Sequence, residues 1–438
     1  MEWWVILLVF VGFLLLMLAT GMPVAFSFFL INIVGAVTVL GGEVGLRQMM
    51  LSIYSGLTSF TLAPVPLFVF MGEILFHSGM AIRTLDVLDK WMGRLPGRLS
   101  LLTVAGGTIF SNLSGSTMAN TAMLGSLLVP SMQSRGYRKP MILGPILGTG
   151  GIAMIIPPSA LAIVLGTLAH LSIGELLLAG ILPGLLMAVL YFSYIIGRCK
   201  LDPSLAPAYE VERVSLGEKL ADLFKYVLPL TTIVFLVVGL IFLGVATPTE
   251  AAAMGSVGSL ALAACYRALS FRVLKRAVRG SLKVTVMTFM IIAGSITFSQ
   301  ILAFTGATRG MVEFVAGLPL EPILILICMQ LILILLGAFM EQISMMMISV
   351  PIFMPVVHAL GFDPIWFGIL MLLNLEIAFT TPPFGLLLFV MKGVAPEDTT
   401  MGDIYRAALP FIVCDLIAMA LIMAYPAITL WLPGLMKG

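Results

Sequence analysis

The chain has 438 residues, of which 60% are hydrophobic and only 10% are charged, and its formal net charge is +2. A soluble domain has about a quarter of its residues charged, so this composition excludes a water-soluble globular protein. It predicts an all-α integral membrane protein, because helices satisfy their own backbone hydrogen bonds inside a bilayer. The four cysteines lie far apart and form no Cys-x-x-Cys motif, so we expect free thiols rather than a metal site.

Apolar segments suitable for transmembrane helices occur along the whole chain. About ten are predicted, since a helix needs about 20 residues to cross the bilayer. They lie at residues 3–20, 22–40, 61–80, 141–170, 173–197, 226–246, 249–265, 284–305, 365–392 and 404–430. No basic residue precedes the first segment and further spans follow it, so we expect a transmembrane helix there rather than a cleaved signal peptide.

Two further apolar stretches, 99–132 and 323–357, have a polar or glycine-containing middle. Each half then has only about 16 residues, fewer than the roughly 20 that a span needs. We therefore predict two re-entrant helical hairpins, each entering and leaving the membrane on one side. Their tips must be surrounded by protein or line a wet cavity.

The basic residues indicate the orientation. Twenty of the 23 Lys and Arg residues fall in the segments 81–98, 133–140, 198–225, 266–283 and 392–406. Loops rich in Lys and Arg face the cytoplasm. We expect a multi-pass protein of a bacterial inner membrane with both termini in the periplasm.

The second half of the chain repeats the order of elements in the first half. Residues 61–197 contain a span, an amphipathic arm, the first hairpin and a helix at 141–170 broken at Pro157-Pro158. Residues 284–438 contain the same series, with a helix at 365–392 broken at Pro382-Pro383. An odd number of crossings separates the two series, so we predict inverted-topology repeats. The first hairpin would open from the cytoplasm and the second from the periplasm, with a binding site near the bilayer midplane.

The hairpin tips and helix breaks are rich in neutral oxygen donors. Hydroxyl, amide and freed carbonyl oxygens suit a monovalent cation such as Na⁺, whereas Ca²⁺ usually recruits several carboxylates. The predicted Na⁺ ligands are Ser111, Asn112, Ser114, Gly115, Thr149 and Gly150 in the first half, and Gly337, Glu341, Gln342, Thr380, Thr381 and Pro382 in the second.

An anionic substrate would be held by helix N-termini and hydroxyls, because no Lys or Arg lies within the predicted spans near these positions. The predicted contacts are Ser116, Asn120, Ser159 and Thr381. Packing is the alternative for any single Ser, Thr or Gly. It also stays open for Glu341 and Glu376. For Glu250, in Thr247-Pro248-Thr249-Glu250, the pattern favours a capping box at a helix start.

These residues belong to motifs that resemble one known family over most of the chain, in the same order. The motifs are Ser114-Gly115-Ser116 through to Pro130, Arg135-Gly136-Tyr137, Ile155-Ile156-Pro157-Pro158-Ser159, the segment 179–184, the segment 246–252, Pro351 through to Pro355, Thr381-Pro382-Pro383-Phe384-Gly385 and Leu409-Pro410-Phe411. The sequence is similar to the large membrane subunit of tripartite ATP-independent periplasmic (TRAP) transporters.

The resemblance implies a Na⁺-driven elevator, in which a transport domain with both hairpins slides against a scaffold. Residues 1–60 and 226–283 would supply scaffold helices, with cytoplasmic loops at 198–225 and at the end of 226–283. A small four-helix membrane subunit, a periplasmic binding protein and an organic acid are the implied partners, Na⁺ is the coupling ion, and no organic cofactor or nucleic acid is expected. Two departures, Glu341 in place of Asp and Glu376-Ile377-Ala378 before the prolines, leave the ion chemistry of the second site open.

Three other classes of protein are alternatives to this interpretation. A stand-alone Na⁺/carboxylate symporter of the wider two-hairpin superfamily would share the hairpins and breaks without needing a binding protein. An intramembrane enzyme is disfavoured, because the sequence has no Gly-x-Ser-x-Gly and no His-Glu-x-x-His motif. A channel is disfavoured as well, since duplicated hairpins with opposite entry suit alternating access.

Overall fold

The computed structural model describes residues 2–93, 95–114, 117–207, 215–337 and 340–436, with their side chains except at 81–82, 110–114 and 119. The regular elements in these ranges are helices, which confirms the all-α class. Six helical segments among them are long and apolar enough to cross a membrane: Phe60–His77, Ile173–Leu201, Leu216–Phe242, Phe271–Phe304, Gln342–Ala359 and Met401–Ala424. The protein is therefore a multi-pass membrane protein.

The first part of the chain forms five helices. They are α1 (Trp3–Ala19), α2 (Val24–Thr38), α3 (Glu43–Leu57), α4 (Pro64–His77) and α5 (Met80–Met92). Helix α3 was not among the predicted spans, because Glu43, Arg47 and Gln48 make its first turns polar. Gly79 adopts a left-handed φ of 72° between α4 and α5, and this turn lets the predicted arm leave the preceding helix abruptly.

Six helices follow in the region of the first predicted hairpin and broken helix. They are α6 (Arg98–Ser114), α7 (Thr117–Ser134), α8 (Lys139–Ile152), α9 (Ala160–Leu168), α10 (Ile173–Ala179) and α11 (Ile181–Leu201). Helices α6 and α7 pack against each other and against α8. The helix pair expected at 99–132 and the interrupted helix expected at 141–170 are both present.

The central part contains α12 (Leu216–Asp222), a π-helical turn (Leu223–Val227), α13 (Leu228–Phe242), α14 (Pro248–Cys265), α15 (Phe271–Phe304) and α16 (Ala307–Ala316). The predicted capping box is confirmed, since Thr247 and Glu250 cap α14 reciprocally. The segments expected as loops at 198–225 and 266–283 are partly helical. In α15 the reason is local, because the Ser270 side chain caps the backbone of Val273 and starts the helix before the apolar stretch.

The last part contains α17 (Pro322–Gly337), α18 (Gln342–Ala359), α19 (Pro364–Thr380), α20 (Leu386–Val394), α21 (Met401–Ala424) and α22 (Ala427–Met436). Helix α18 has 18 residues, slightly more than the about 16 expected for a hairpin arm, and is long and apolar enough to cross a membrane. Gln342, predicted at the tip, is the first residue of this helix, which begins directly after Glu341. The predicted span 404–430 is divided between α21 and α22 near Pro426, which lacks a backbone donor.

Two helices form the centre of the molecule. Residues 141–152 of α8 and 365–380 of α19 are all buried. The two helices contact each other, and α6, α7, α11, α17, α18, α20 and α21 surround them. Large apolar side chains on outer helices are exposed, for example Phe235 on α13 and Val257 on α14, as expected where a surface faces lipid.

Candidate substrate and cation site

The break between α8 and α9 is closed by Ser159. Its hydroxyl donates to the Met154 carbonyl, 2.5 Å away, and accepts from the Ala162 backbone N–H at 3.1 Å. Residues 151–160 are all buried. The predicted substrate contact Ser159 therefore caps the start of α9, with its hydroxyl proton used inside the turn.

The break between α19 and α20 is more open. The Thr381 hydroxyl donates to the Ile377 carbonyl at 2.6 Å, and the Thr380 hydroxyl lies 3.1 Å from the same oxygen. Thr381 and Pro382 are half-buried, and Pro383 is exposed. The two breaks thus both contain a proline pair but differ in solvent access. Of the residues predicted in the second break, Thr381 and Pro382 line an accessible turn, whereas Thr380 is buried.

The first hairpin meets α8 at Thr149 and Gly150. A Cβ added to Gly107 of α6 would overlap the Thr149 side chain, and one added to Gly150 would overlap the Thr121 hydroxyl of α7. Thr121 is fully buried, and its hydroxyl has no hydrogen-bond partner in the described part of the chain. The glycines therefore allow close contact between the helices. This contact places the Thr121 hydroxyl beside the predicted cation ligands Thr149 and Gly150.

The remaining residues predicted at the first site are less fully described. Asn120 is completely buried on α7. Gly115 and Ser116 lie outside the described residues, as do the side chains of Ser111, Asn112 and Ser114, whose backbone forms the end of α6.

The second hairpin contacts both broken helices. A Cβ on Gly337, at the end of α17, would overlap Ala378 of α19. Glu341 occupies the N-cap position of α18, with its Oε2 3.4 Å from the Ser344 hydroxyl. The neighbouring Gln342 is buried, and its amide lies 3.1 Å from the Met154 sulfur in the other break. The structure therefore brings Gly337 beside α19 and directs Gln342 towards the break between α8 and α9.

A group of buried polar side chains from α11, α19 and α21 lies near the C-terminal end of α8. Glu376 of α19 is completely buried, and its carboxyl group lies against Gly151 of α8. Asp415 of α21 accepts a hydrogen bond from the Tyr191 hydroxyl of α11. These side chains were not among the predicted ligands, although acidic residues inside apolar segments are the sequence signal that marks them.

A polar cavity of about 630 Å³ lies apart from these residues, between α3, α15 and the end of α9. Its lining includes Ser52, Ser55, His170, Ser295 and Gln300. The predicted site residues are not among its lining residues.

Comparison with known proteins decides the family. The family model of the DctM component of tripartite ATP-independent periplasmic transporters matches residues 11–428. The chain belongs to this family. The predicted resemblance is confirmed.

Relatives match this TRAP permease over nearly its whole length. It is 33% identical to the C4-dicarboxylate TRAP transporter large permease protein DctM of Pseudomonas aeruginosa, over 91% of this chain and 92% of that protein. It is 32% identical to the sialic acid TRAP transporter large permease protein SiaM of Vibrio cholerae, over 96% of this chain and 97% of that one. The chain is thus a transporter permease component and not an enzyme.

A solved structure supports the fold of this TRAP permease. The crystal structure of the Alcanivorax borkumensis YdaH transporter aligns with a TM-score of 0.64 at 15% identity, covering 95% of this chain and 97% of that one. At this identity the likeness concerns the fold alone.

Proposed function

We propose that this permease carries out Na⁺-coupled uptake of an organic acid across a bacterial inner membrane, by an elevator mechanism. The observation that carries the proposal is the pair of buried central helices, α8 and α19, each of which ends a few residues before a proline pair and is surrounded by the hairpin helices. Broken helices of this kind leave backbone groups free to bind ions and anions.

The chemistry of the two breaks supports a cation and a carboxylate. The Thr121 hydroxyl is buried without a partner beside Gly150, and hydroxyls of Thr380 and Thr381 lie at the second break. Neutral oxygen donors of this kind suit Na⁺ better than a divalent cation. The N-terminus of α20, beside Thr381, offers free N–H groups to a carboxylate.

The packing is consistent with two moving bodies. The hairpins α6–α7 and α17–α18 pack around α8 and α19, whereas α2, α3, α4, α14 and α15 pack mainly on one another. We infer that the first group is the transport domain, built from inverted repeats, and that the second group belongs to the scaffold. The buried first break and the accessible second break are the asymmetry expected of one end state of alternating access.

The partners are proposed from the family. Its relatives are named for C4-dicarboxylate and sialic acid transport, so we infer an organic acid as the substrate here. A periplasmic binding protein would deliver the acid, and a small four-helix subunit would accompany the permease in the bilayer, with both termini of the permease in the periplasm.

The test is reconstitution of the permease, its small subunit and its binding protein in liposomes, followed by uptake of labelled acids. We expect uptake to require the binding protein and an inward Na⁺ gradient, and Thr121→Val to weaken the dependence on Na⁺. Thr232→Val on α13 is the matched control, because its exposed hydroxyl only bonds its own helix. Na⁺-driven uptake by the permease alone would support the stand-alone symporter, and uptake without any Na⁺ dependence would contradict both candidates.

A further inference from the structure

Two carboxyl groups lie deep in the helix bundle. Glu376 is 0% exposed and Asp415 is 1% exposed. Their helices, α19 and α21, pack against each other and against α8, and the two carboxyl groups interact electrostatically. Among the described residues, neither takes part in an ion pair. Burying carboxylates without a nearby positive charge is costly, more so inside a membrane. The negative charge of this pair must therefore be neutralised by something other than a Lys or Arg side chain.

The two carboxyl groups differ in what supports them. Asp415 accepts a hydrogen bond from the Tyr191 hydroxyl through Oδ1, whereas its Oδ2 has no partner in the described part of the protein. Neither oxygen of Glu376 makes a hydrogen bond of good geometry there, and the backbone N–H of Gly151 is the polar group that lies against this carboxyl group. Three fully buried carboxyl oxygens are therefore available to a ligand.

The position of Glu376 is an independent indication of a positive ligand. Its carboxyl group occupies the place where a Cβ on Gly151 would lie, and Gly151 is the last residue but one of α8. The C-terminus of a helix carries a partial negative charge and stabilises cations. A carboxylate is unfavourable at this end of a helix unless a cation lies beside it.

A metal cation satisfies this arrangement better than a single proton. One proton would bond to one of the three oxygens, whereas a metal ion can take all three as ligands. Ca²⁺ requires six to eight oxygen ligands and Mg²⁺ keeps several waters, and both demands exceed what three buried oxygens supply. Three carboxyl oxygens therefore favour a monovalent cation.

We propose that Glu376 and Asp415 bind one monovalent metal cation, of the type of Na⁺, at a site against the C-terminus of α8. The ion neutralises one carboxylate, and the Tyr191 hydroxyl supports the other. The inference deepens the proposed sodium coupling and rests on it.

The test measures cation binding directly, without transport. The full-length permease with its small subunit is placed in nanodiscs, and its Tm is followed as NaCl replaces choline chloride at constant ionic strength. We expect Na⁺ to raise the Tm of the wild type. In Glu376→Gln the Na⁺ concentration at half-effect should rise about tenfold or more, since loss of an outer-shell partner alone weakens metal binding by about 10- to 100-fold. The same variant should have a higher Tm than wild type in choline, because an uncompensated charge is gone.

Asp415→Asn provides a second variant, for which we expect the same shift in the Na⁺ response. Glu73→Gln on α4 is the matched control, because Glu73 is also an acidic residue of an apolar helix but pairs with His77 at 3.1 Å. It should keep the wild-type Na⁺ response. The proposal is overturned if both core variants keep that response, if Glu73→Gln loses it equally, or if Ca²⁺ stabilises the wild type where Na⁺ does not.

Uptake measurements distinguish a failure of the Glu376–Asp415 site from a failure of the proposed sodium coupling. If wild-type uptake is driven by Na⁺ while both core variants bind Na⁺ normally, only the Glu376–Asp415 site is wrong. If wild-type uptake shows no dependence on Na⁺, the proposed sodium coupling itself is wrong.

Discussion

The side-chain amide of Gln342 donates a hydrogen bond to the sulfur of Met154, 3.1 Å away. The two residues are 188 positions apart, one at the start of α18 and the other in the break after α8. The contact joins the second hairpin to the first broken helix, so the two halves of the core are linked where each backbone is interrupted.

Replacing Gln342 with Leu should therefore slow uptake more than it affects folding. The volume is nearly kept and a buried amide is removed, so we expect a change in stability of less than about 1.5 kcal/mol, but a loss of coupling between the two breaks of about fivefold or more. Initial uptake rates and Tm are the two measurements. Gln133→Leu, at an exposed position of α7, should change neither, and an equal loss of rate in both variants would contradict the role of the contact.

Gly150→Ala should loosen the first hairpin from α8. The new methyl group would overlap the Thr121 hydroxyl and the Leu387 side chain, and overpacking of this kind costs about 1–3 kcal/mol. We expect a lower Tm and a weaker Na⁺ response. In contrast, Gly239→Ala on α13 meets nothing within 4 Å and should be neutral or stabilising by up to about 1 kcal/mol. A Gly150→Ala protein as stable as the Gly239→Ala protein would contradict the close contact.

Asn374 and Gln330 form a buried polar pair between α19 and α17. The Asn374 amide nitrogen lies 2.8 Å from the Gln330 carbonyl and 2.9 Å from its side-chain Oε1. Asn374→Leu should destabilise the protein by about 1 kcal/mol, a usual size for hydrogen bonds between membrane helices. Adding Gln330→Leu should recover part of that loss, because no buried donor or acceptor is then left alone. Additive destabilisation in thermal unfolding of the double variant would count against the pairing.

Lys90 connects α5 to α12. Its Nζ lies 2.6 Å from Asp222 and 3.3 Å from Glu218, and the hydrogen bond to Asp222 raises the pKa of Lys90 above its ordinary 10.5. A raised pKa means that the stabilisation is complete below pH 10.5 and is lost as the pH rises through the higher folded value. We expect the Tm of wild type to fall in that alkaline window and Lys90→Met to lack this step, with a small difference at neutral pH because the pair is partly exposed to solvent. Identical alkaline profiles would contradict this interpretation.

Local sequence signals were sufficient to locate the helix pairs and the interrupted helices. The structure has helix pairs or interrupted helices at 98–134, 139–168, 322–359 and 364–394, where 99–132, 141–170, 323–357 and 365–392 were expected. Proline and glycine determine these boundaries through the backbone itself. Helix α3 and the start of α15 were missed, because amphipathic helices lack the long apolar run on which the predictions relied.

The site was less accessible to sequence reasoning, because its contacts join distant parts of the chain. The placement of Glu376 on Gly151 and of Gln342 on Met154 depends on how α8, α18 and α19 pack, which no periodicity reveals. Ser159 shows the same limit. Its hydroxyl donates to Met154 and caps α9, which its position beside a helix break did not reveal, and its contact with substrate stays a prediction.

Sodium coupling is the central claim, and it is tested most directly by measuring labelled Na⁺ entry together with labelled acid in liposomes that contain the permease, its small subunit and its binding protein. We predict that Na⁺ enters in a fixed ratio to the acid and that this Na⁺ entry stops when the acid or the binding protein is omitted. Accumulation of the acid without accompanying Na⁺ entry would contradict the account.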